Sequence, residues 1–181
     1  MGAELTGLIG VAGALVGGLA SFSGTAFSAR SARKQSAAVR EHAVQDRRYE
    51  AHLDYIRGVA RFYEAAREVR DALQEQRKDA QEAQRLHIEA YSALRELEGA
   101  AEFAGPRELR ESLRDLHDHL RKYSLQIDEW YSAAKMYVEE TGEWMDTEDH
   151  RRYVSSCAAR WSKAEQARER FLDKAHTVFA V

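Results

Sequence analysis

Seven histidines, one cysteine and thirty acidic residues are the groups in this 181-residue chain that could hold a metal or move a proton. Their spacing argues against both. His117 and His119 are two positions apart, about 200° around a helix, so they cannot grip one ion from a shared face. A di-iron bundle needs Glu-x-x-His pairs, and the chain has none; Asp173-x-x-His176 is a single approximation near the carboxyl end. His42, His52, His87 and His150 stand among charged neighbours and are predicted to be solvated or at a rim. Cys157 falls on an apolar stripe with no paired base, so it is expected to be a small buried thiol rather than a nucleophile. No phosphate loop, Gly-x-Ser-x-Gly elbow or zinc spacing occurs. Carboxylates alternate with arginines at helical spacing, as in Glu64/Glu68 with Arg67/Arg70, the pattern of ion-paired solvated faces. The expectation is a non-enzymatic chain without metal, cofactor or small-molecule substrate. Aromatic enrichment is the remaining chemical signal. Most of Tyr123, Trp130, Tyr131, Tyr137, Trp144, Tyr153 and Trp161 fit a core, but Tyr131 and Trp144 fall off the strict seam and are candidate anchors for a protein partner.

The elements that must carry these residues are helices. Of the 57 Asp, Glu, Lys and Arg residues only Glu4 precedes Arg30, and seven of eleven glycines lie in the first 24 positions. After residue 30 the chain is dense in charge, with four glycines and the single proline, Pro106. That balance excludes a disulfide scaffold, a collagen-like chain and a turn-rich β-sandwich, and makes a two-domain α/β enzyme a poor fit. Breakers gather at Gly99–Pro106 and at Thr141–Thr147, where Asp146 or Thr147 suits an N-cap. Three helices are predicted, at about 30–97, 107–140 and 148–179. The second has the cleanest seam: Leu109, Leu113, Leu116, Leu120, Tyr123, Ile127, Trp130, Ala134 and Tyr137, in 4-3-4-3 spacing. The third carries Val154, Cys157, Trp161, Ala164, Phe171, Ala175 and Val178. In the first helix the apolar pattern thins to Ala80 and Ala83 in the middle. Folding back about the two loops sets those alanines against bulky aromatics, puts Trp161 beside Ile127, and places Trp144 and Met145 near Phe62 and Tyr63. Tyr49, Leu53 and Ile56 are left as an unpaired stripe, a second candidate interface that favours self-association. A monomer whose third helix is long enough to cover the stripe is the alternative.

The first 29 residues read as a membrane anchor. From Leu5 to Ala29 runs a stretch of 25 residues without a formal charge, against the ~20 apolar residues that a helix needs to cross a bilayer. A buried core helix and a signal peptide are rivals, although no basic residue precedes the apolar run as a signal peptide requires. Arg30, Arg33, Lys34, Arg40, Arg47 and Arg48 follow the stretch, so the positive-inside rule puts the amino terminus outside and the remainder in the cytoplasm. These residues would sit against anionic headgroups. With a net charge of −3, topology explains them better than nucleic-acid binding does. A single cysteine fits a reducing compartment. Gly10, Ala14, Gly17, Ser21 and Gly24 form one small-residue face, with Gly13 beside it, the kind of face along which helices pair in lipid.

The fold class expected is therefore all-α: a transmembrane helix continuing into a stalk and an elongated antiparallel three-helix bundle or coiled coil. Its parts are an anchor (1–29), a basic juxtamembrane stalk (30–64) and a cytoplasmic bundle (65–181). The opening Thr6-Gly-Leu-Ile-Gly-Val-Ala-Gly-Ala-Leu-Val-Gly-Gly18, the Arg-rich stretch and Gln45-Asp-Arg-Arg-Tyr-Glu-Ala-His-Leu-Asp54 resemble small single-pass membrane proteins of high-GC actinobacteria. The excess of 21 arginines over 6 lysines has the same character. The resemblance covers about the first 70 residues and carries over no catalytic residue. It implies a glycine-rich anchor, a basic stalk and a helical cytoplasmic part, and it permits a role in plasmid transfer and spread. The leading reading is a non-enzymatic inner-membrane protein whose cytoplasmic helical rod recruits or scaffolds a protein partner. A pore-forming or toxin-like protein built on the glycine-rich helix is the alternative from another class, and a soluble helical adaptor is a third.

Overall fold

The computed structural model describes the backbone of residues 3–145 and 148–179, and the side-chain surroundings from residue 39 onward within those ranges. The small-residue face (Gly10, Gly13, Ala14, Gly17, Ser21, Gly24), the basic residues Arg30, Arg33 and Lys34, and the proposed caps Asp146 and Thr147 fall outside those described surroundings. Among the described residues there is no strand, and the chain is all-α. Four helices follow in order: α1 (Ala3–Gln74), α2 (Ala80–Ala104), α3 (Arg107–Thr141) and α4 (Glu148–Phe179). Two compact units divide the chain, Met1–Asp46 and Arg47–Val181. Among the described residues no helix is long and apolar enough to cross a membrane.

In the second unit, four helices pack where three were expected. The predicted first helix breaks at residues 75–79. There Arg77 N–H donates to the Ala72 carbonyl at 2.8 Å, and Gln76 takes a left-handed backbone with φ 58°. No glycine or proline marks this turn, so local rules do not reveal it. Short connections then make each sequential pair antiparallel. Phe62 of α1 meets Tyr91 of α2 with ring centroids 5.8 Å apart, and Tyr123 of α3 meets Trp161 of α4 at 5.5 Å. The ring closes through Tyr55 of α1 and Phe171 of α4, edge to face at 5.8 Å. Across the diagonal Phe62 reaches Tyr123.

The α3 seam is buried as its spacing predicts, from Leu109 to Ala134, with Tyr137 half-buried. Removing such Leu, Ile and aromatic side chains from water stabilises by roughly 1.5–3 kcal/mol each. Trp161 rests on Tyr123, one turn from the expected Ile127. The buried line of α1 is His52, Tyr55, Val59, Phe62, Ala66, Val69 and Leu73, in alternating 3-4 spacing; it runs below Phe62 beside the stripe of Tyr49, Leu53 and Ile56, where the bundle was expected to have ended. Residues 47–64 are consequently part of the bundle and not a separate stalk. The second loop is also narrower than expected. Gly99 remains helical, and α2 ends only at Gly105, whose N–H donates to the Ala101 carbonyl, before Pro106. Helix α4 keeps the predicted range of 148–179.

Candidate functional site

The turn between α1 and α2 and the turn between α3 and α4 lie at the same end of the bundle, and a groove of about 210 Å³ opens between them. Its apolar wall is Leu73, Tyr131, Ala134, Val138 and Trp144; Arg77, Lys78, Lys135 and Glu139 stand at its rim. Both aromatic anchors read from the sequence, Tyr131 and Trp144, are therefore brought to one site. Each is half-buried and packs its inner edge on the core. Trp144 does not lie near Phe62 and Tyr63 as the three-helix folding implied. Because α1 stops at Gln74, the α3–α4 turn meets the α1–α2 turn instead.

Local chemistry holds both turns in place. Arg77 donates through Nε to Asp79 Oδ1 at 3.0 Å and through Nη2 to both Asp79 Oδ2 and Glu68, tying the turn back to α1. The Arg77 guanidinium holds the Asp79 carboxyl below its ordinary range. On the other side Gly142 closes α3 in the left-handed conformation, φ 73°, its N–H donating to the Val138 carbonyl at 2.9 Å. That is the αL cap at which glycine avoids the Cβ penalty. The Thr141 hydroxyl donates to the Tyr137 carbonyl at 2.8 Å and accepts from Glu143 N–H, which sets the course of the chain toward Trp144. At the rim Lys135 and Glu139 are only loosely paired, at 3.8 Å. The groove is thus an apolar slot with a mixed-charge edge. It is smaller than the ~300–1,000 Å³ typical of small-molecule sites.

The other three interface candidates sit at the opposite end, where α4 reaches them. Tyr49 meets the Phe179 ring edge to face at 5.7 Å, while Leu53 and Ile56 are half-buried. A second groove of about 570 Å³ lies there between Tyr49, Ile56, Leu172 and Phe179. The end of α4 therefore packs against part of the stripe, while Tyr49 stays 53% exposed. Arg40, Arg47 and Arg48 are exposed.

The histidines correct the sequence-based expectation most. His52 and His87 are buried rather than solvated, and His117 is buried as well. His52 Nδ1 lies 2.8 Å from the Arg48 carbonyl, and His87 Nε2 lies 3.0 Å from Ser124 Oγ. Burial lowers the pKa of all three, and at His117, where Arg95 and Arg121 add to it, the value falls to about 4. Cys157 is buried as expected, and burial pushes its thiol up to about 12. Among the described residues, no group of three His, Cys, Asp or Glu is placed to hold a metal ion. Arg70 pairs with Asp71 at 2.8 Å and covers the Trp161 ring, rather than joining Glu64 or Glu68.

Sequence reasoning missed the polar seam between α2 and α3. Gln84 Nε2 donates to Asp128 Oδ1 at 2.6 Å, one helical turn from the His87–Ser124 contact. The signal was present as spacing: Ala80, Gln84, His87, Tyr91, Leu94, Glu98 and Ala101 keep a 4-3-4-3 order. A search for apolar residues passes over it because Gln, His and Glu occupy three of the seven positions. In comparison with known proteins, the chain matches no family model, no curated protein and no solved structure.

Proposed function

We propose that this chain is a non-enzymatic, membrane-anchored adaptor. Residues 5–29 cross the inner membrane with the amino terminus outside, and Arg30 to Arg48 lie at the cytoplasmic surface. The four-helix unit recruits a protein partner through the groove of Tyr131 and Trp144. The observation that carries this reading is the run of 25 uncharged residues followed at once by Arg30, Arg33 and Lys34, which matches a spanning helix and its cytoplasmic flank. The groove supports the second half. Aromatic side chains that are half-buried in a preformed slot lose little entropy on binding and supply large contact area. The small-residue face from Gly10 to Gly24 supports self-association within the membrane.

Two experiments test the two halves. Carbonate washing of membranes leaves a spanning protein in the pellet, and its release into the supernatant would sink the anchor. A photo-crosslinker placed at Lys135, on the rim, should capture a partner in cells. Tyr131→Ala combined with Trp144→Ala should cut that capture at least tenfold with little change in thermal stability. Undiminished capture would show that the partner binds elsewhere.

A further inference from the structure

Helix α2 is held by a different chemistry from its neighbours. Whereas α3 buries four leucines, an isoleucine, a tyrosine and a tryptophan, α2 buries Ala80, Ala83, Gln84, His87, Leu94 and Ala101, of which only Leu94 is a large aliphatic side chain. Much of its grip on α3 is polar: Gln84 to Asp128, His87 to Ser124, and Glu98 Oε2 facing His117 Nε2 at 3.1 Å. These contacts leave buried atoms without partners, namely Gln84 Oε1, His87 Nδ1 and His117 Nδ1. His87 is 0% and His117 8% exposed. Their rings lie against aromatic neighbours, His87 on Phe62 at 5.3 Å and His117 on Tyr91 at 5.9 Å.

A neutral imidazole has one N–H. Adding a second proton makes both nitrogens donors and places a positive charge in the layer. At Nδ1 of either ring no acceptor stands ready, so an N–H there can be satisfied only by water. Water reaches these atoms only when α2 moves away from α3.

We propose that the α2–α3 seam is an acid-opened joint, in which proton uptake by His87 and His117 releases α2 while α1, α3 and α4 stay packed.

The surrounding charges set its strength. Asp128 of α3 is the carboxylate nearest in influence to His87, and it already accepts from Gln84; α1 presents only the Phe62 ring to it. His117 is faced by Glu98 and Arg95 from α2, with Asp118 and Arg121 on its own helix. Burial, Arg95 and Arg121 disfavour the charged ring and outweigh Asp118, which favours it; Glu98 Oε2 lies 3.1 Å from Nε2. Both imidazoles therefore bind a proton less readily in the closed bundle than in the open one. Above about pH 6.5 both forms are neutral and the joint stays shut. As pH falls below that value the open form takes up protons first, so opening becomes steadily easier until the closed-state pKa, about 4 at His117, below which the effect levels off. Opening would bare Phe62, against which His87 and Tyr91 of α2 pack.

The test uses the full chain in mild detergent with Cys157→Ala as background. Spin labels at Ile88→Cys on α2 and Lys163→Cys on α4 report opening, and a Leu125→Cys/Lys163→Cys pair reports the α3–α4 contact. Between pH 7.5 and 4.5 the first distance should lengthen while the second holds. In the His87→Gln/His117→Gln variant the first distance should stay fixed. Simultaneous loss of both distances, no change in the first, or opening of the double variant at the same pH would overturn the proposal. Histidine titration followed by NMR in the chain with native histidines decides the matter if the double variant does not fold. Opening must then track His87 or His117, and opening that tracks a carboxylate refutes the joint.

Discussion

Gln76 offers a test in which the sign of a stability change discriminates between two architectures. Its φ of 58° is the only positive value at a non-glycine residue among the described residues. An L-residue in that region carries a cost of roughly 1–2 kcal/mol, because Cβ crowds the following carbonyl. Gln76→Gly removes the clash, while the freer unfolded chain of glycine takes back roughly 0.5–1 kcal/mol. The net effect expected is a gain of about 0.5–1 kcal/mol. For a bundle of this size that corresponds to a rise in Tm of about 1–4 °C. In an unbroken helix through residue 76, the same substitution would instead lose about 0.5–1 kcal/mol from glycine's poor propensity. Gln76→Val sharpens the contrast. A β-branched side chain tolerates the left-handed region worst and should cost about 1 kcal/mol or more in the turn, against a few tenths in a helix. Urea titration of the full chain in detergent, followed by far-ultraviolet circular dichroism, measures both variants, with an unchanged m-value required for the comparison. A glycine variant less stable than the parent would refute the turn and restore the continuous first helix.

The remaining expectations concern packing and reactivity. Phe171→Ala removes the ring that meets Tyr55 and His52 and should cost about 3–5 kcal/mol by urea titration; a loss under about 1 kcal/mol would mean that α4 does not cover the lower end of α1. Gly105 and Gly99 should respond in opposite directions to alanine. A Cβ at Gly105 would come within 2.5 Å of His52 Cε1 and 2.7 Å of the Ala101 carbonyl, whereas Gly99 has open space. Gly105→Ala should therefore destabilise by about 1–3 kcal/mol, and Gly99→Ala should stabilise by up to about 1 kcal/mol from helix propensity; equal effects would contradict the placement of the α2–α3 turn. Cys157, with its thiol pushed up to about 12, should resist maleimide at pH 7.5 and react quickly once urea unfolds the bundle. Rapid labelling of the native chain would show that α4 is not seated as described.

Several parts of the fold were legible in the sequence because they depend on local rules. The α3 seam is set by the match between a 3.5-residue apolar repeat and helical pitch, so Leu109 to Ala134 could be named as core from spacing alone. Gly142 and the Gly105-Pro106 pair announced the two later turns through their backbone preferences. Cys157 was readable as buried from its apolar neighbours. Tyr131 and Trp144 stood out because they break the seam, and both line the groove. The all-helical class followed from the scarcity of breakers beyond residue 30, and the uncharged run and its basic flank follow from charge order alone.

What tertiary structure decided lies where local rules are silent. The turn at 75–79 contains no breaker; it exists because reversing the chain there lets α2 complete the ring, a gain made by residues 20 to 50 positions away. The packed helices also bury a line that the sequence reading did not single out, His52, Tyr55 and Val59, beside the stripe of Tyr49, Leu53 and Ile56. The reversal also brought the two turns together to form the groove. The histidines show the same limit. His87 and His117 have polar neighbours in sequence but lie at seam positions of helices facing each other, and only packing reveals that water is excluded from them. Spacing determines which residues can share a face. Which face is buried depends on what packs against it, and that is a property of the whole chain.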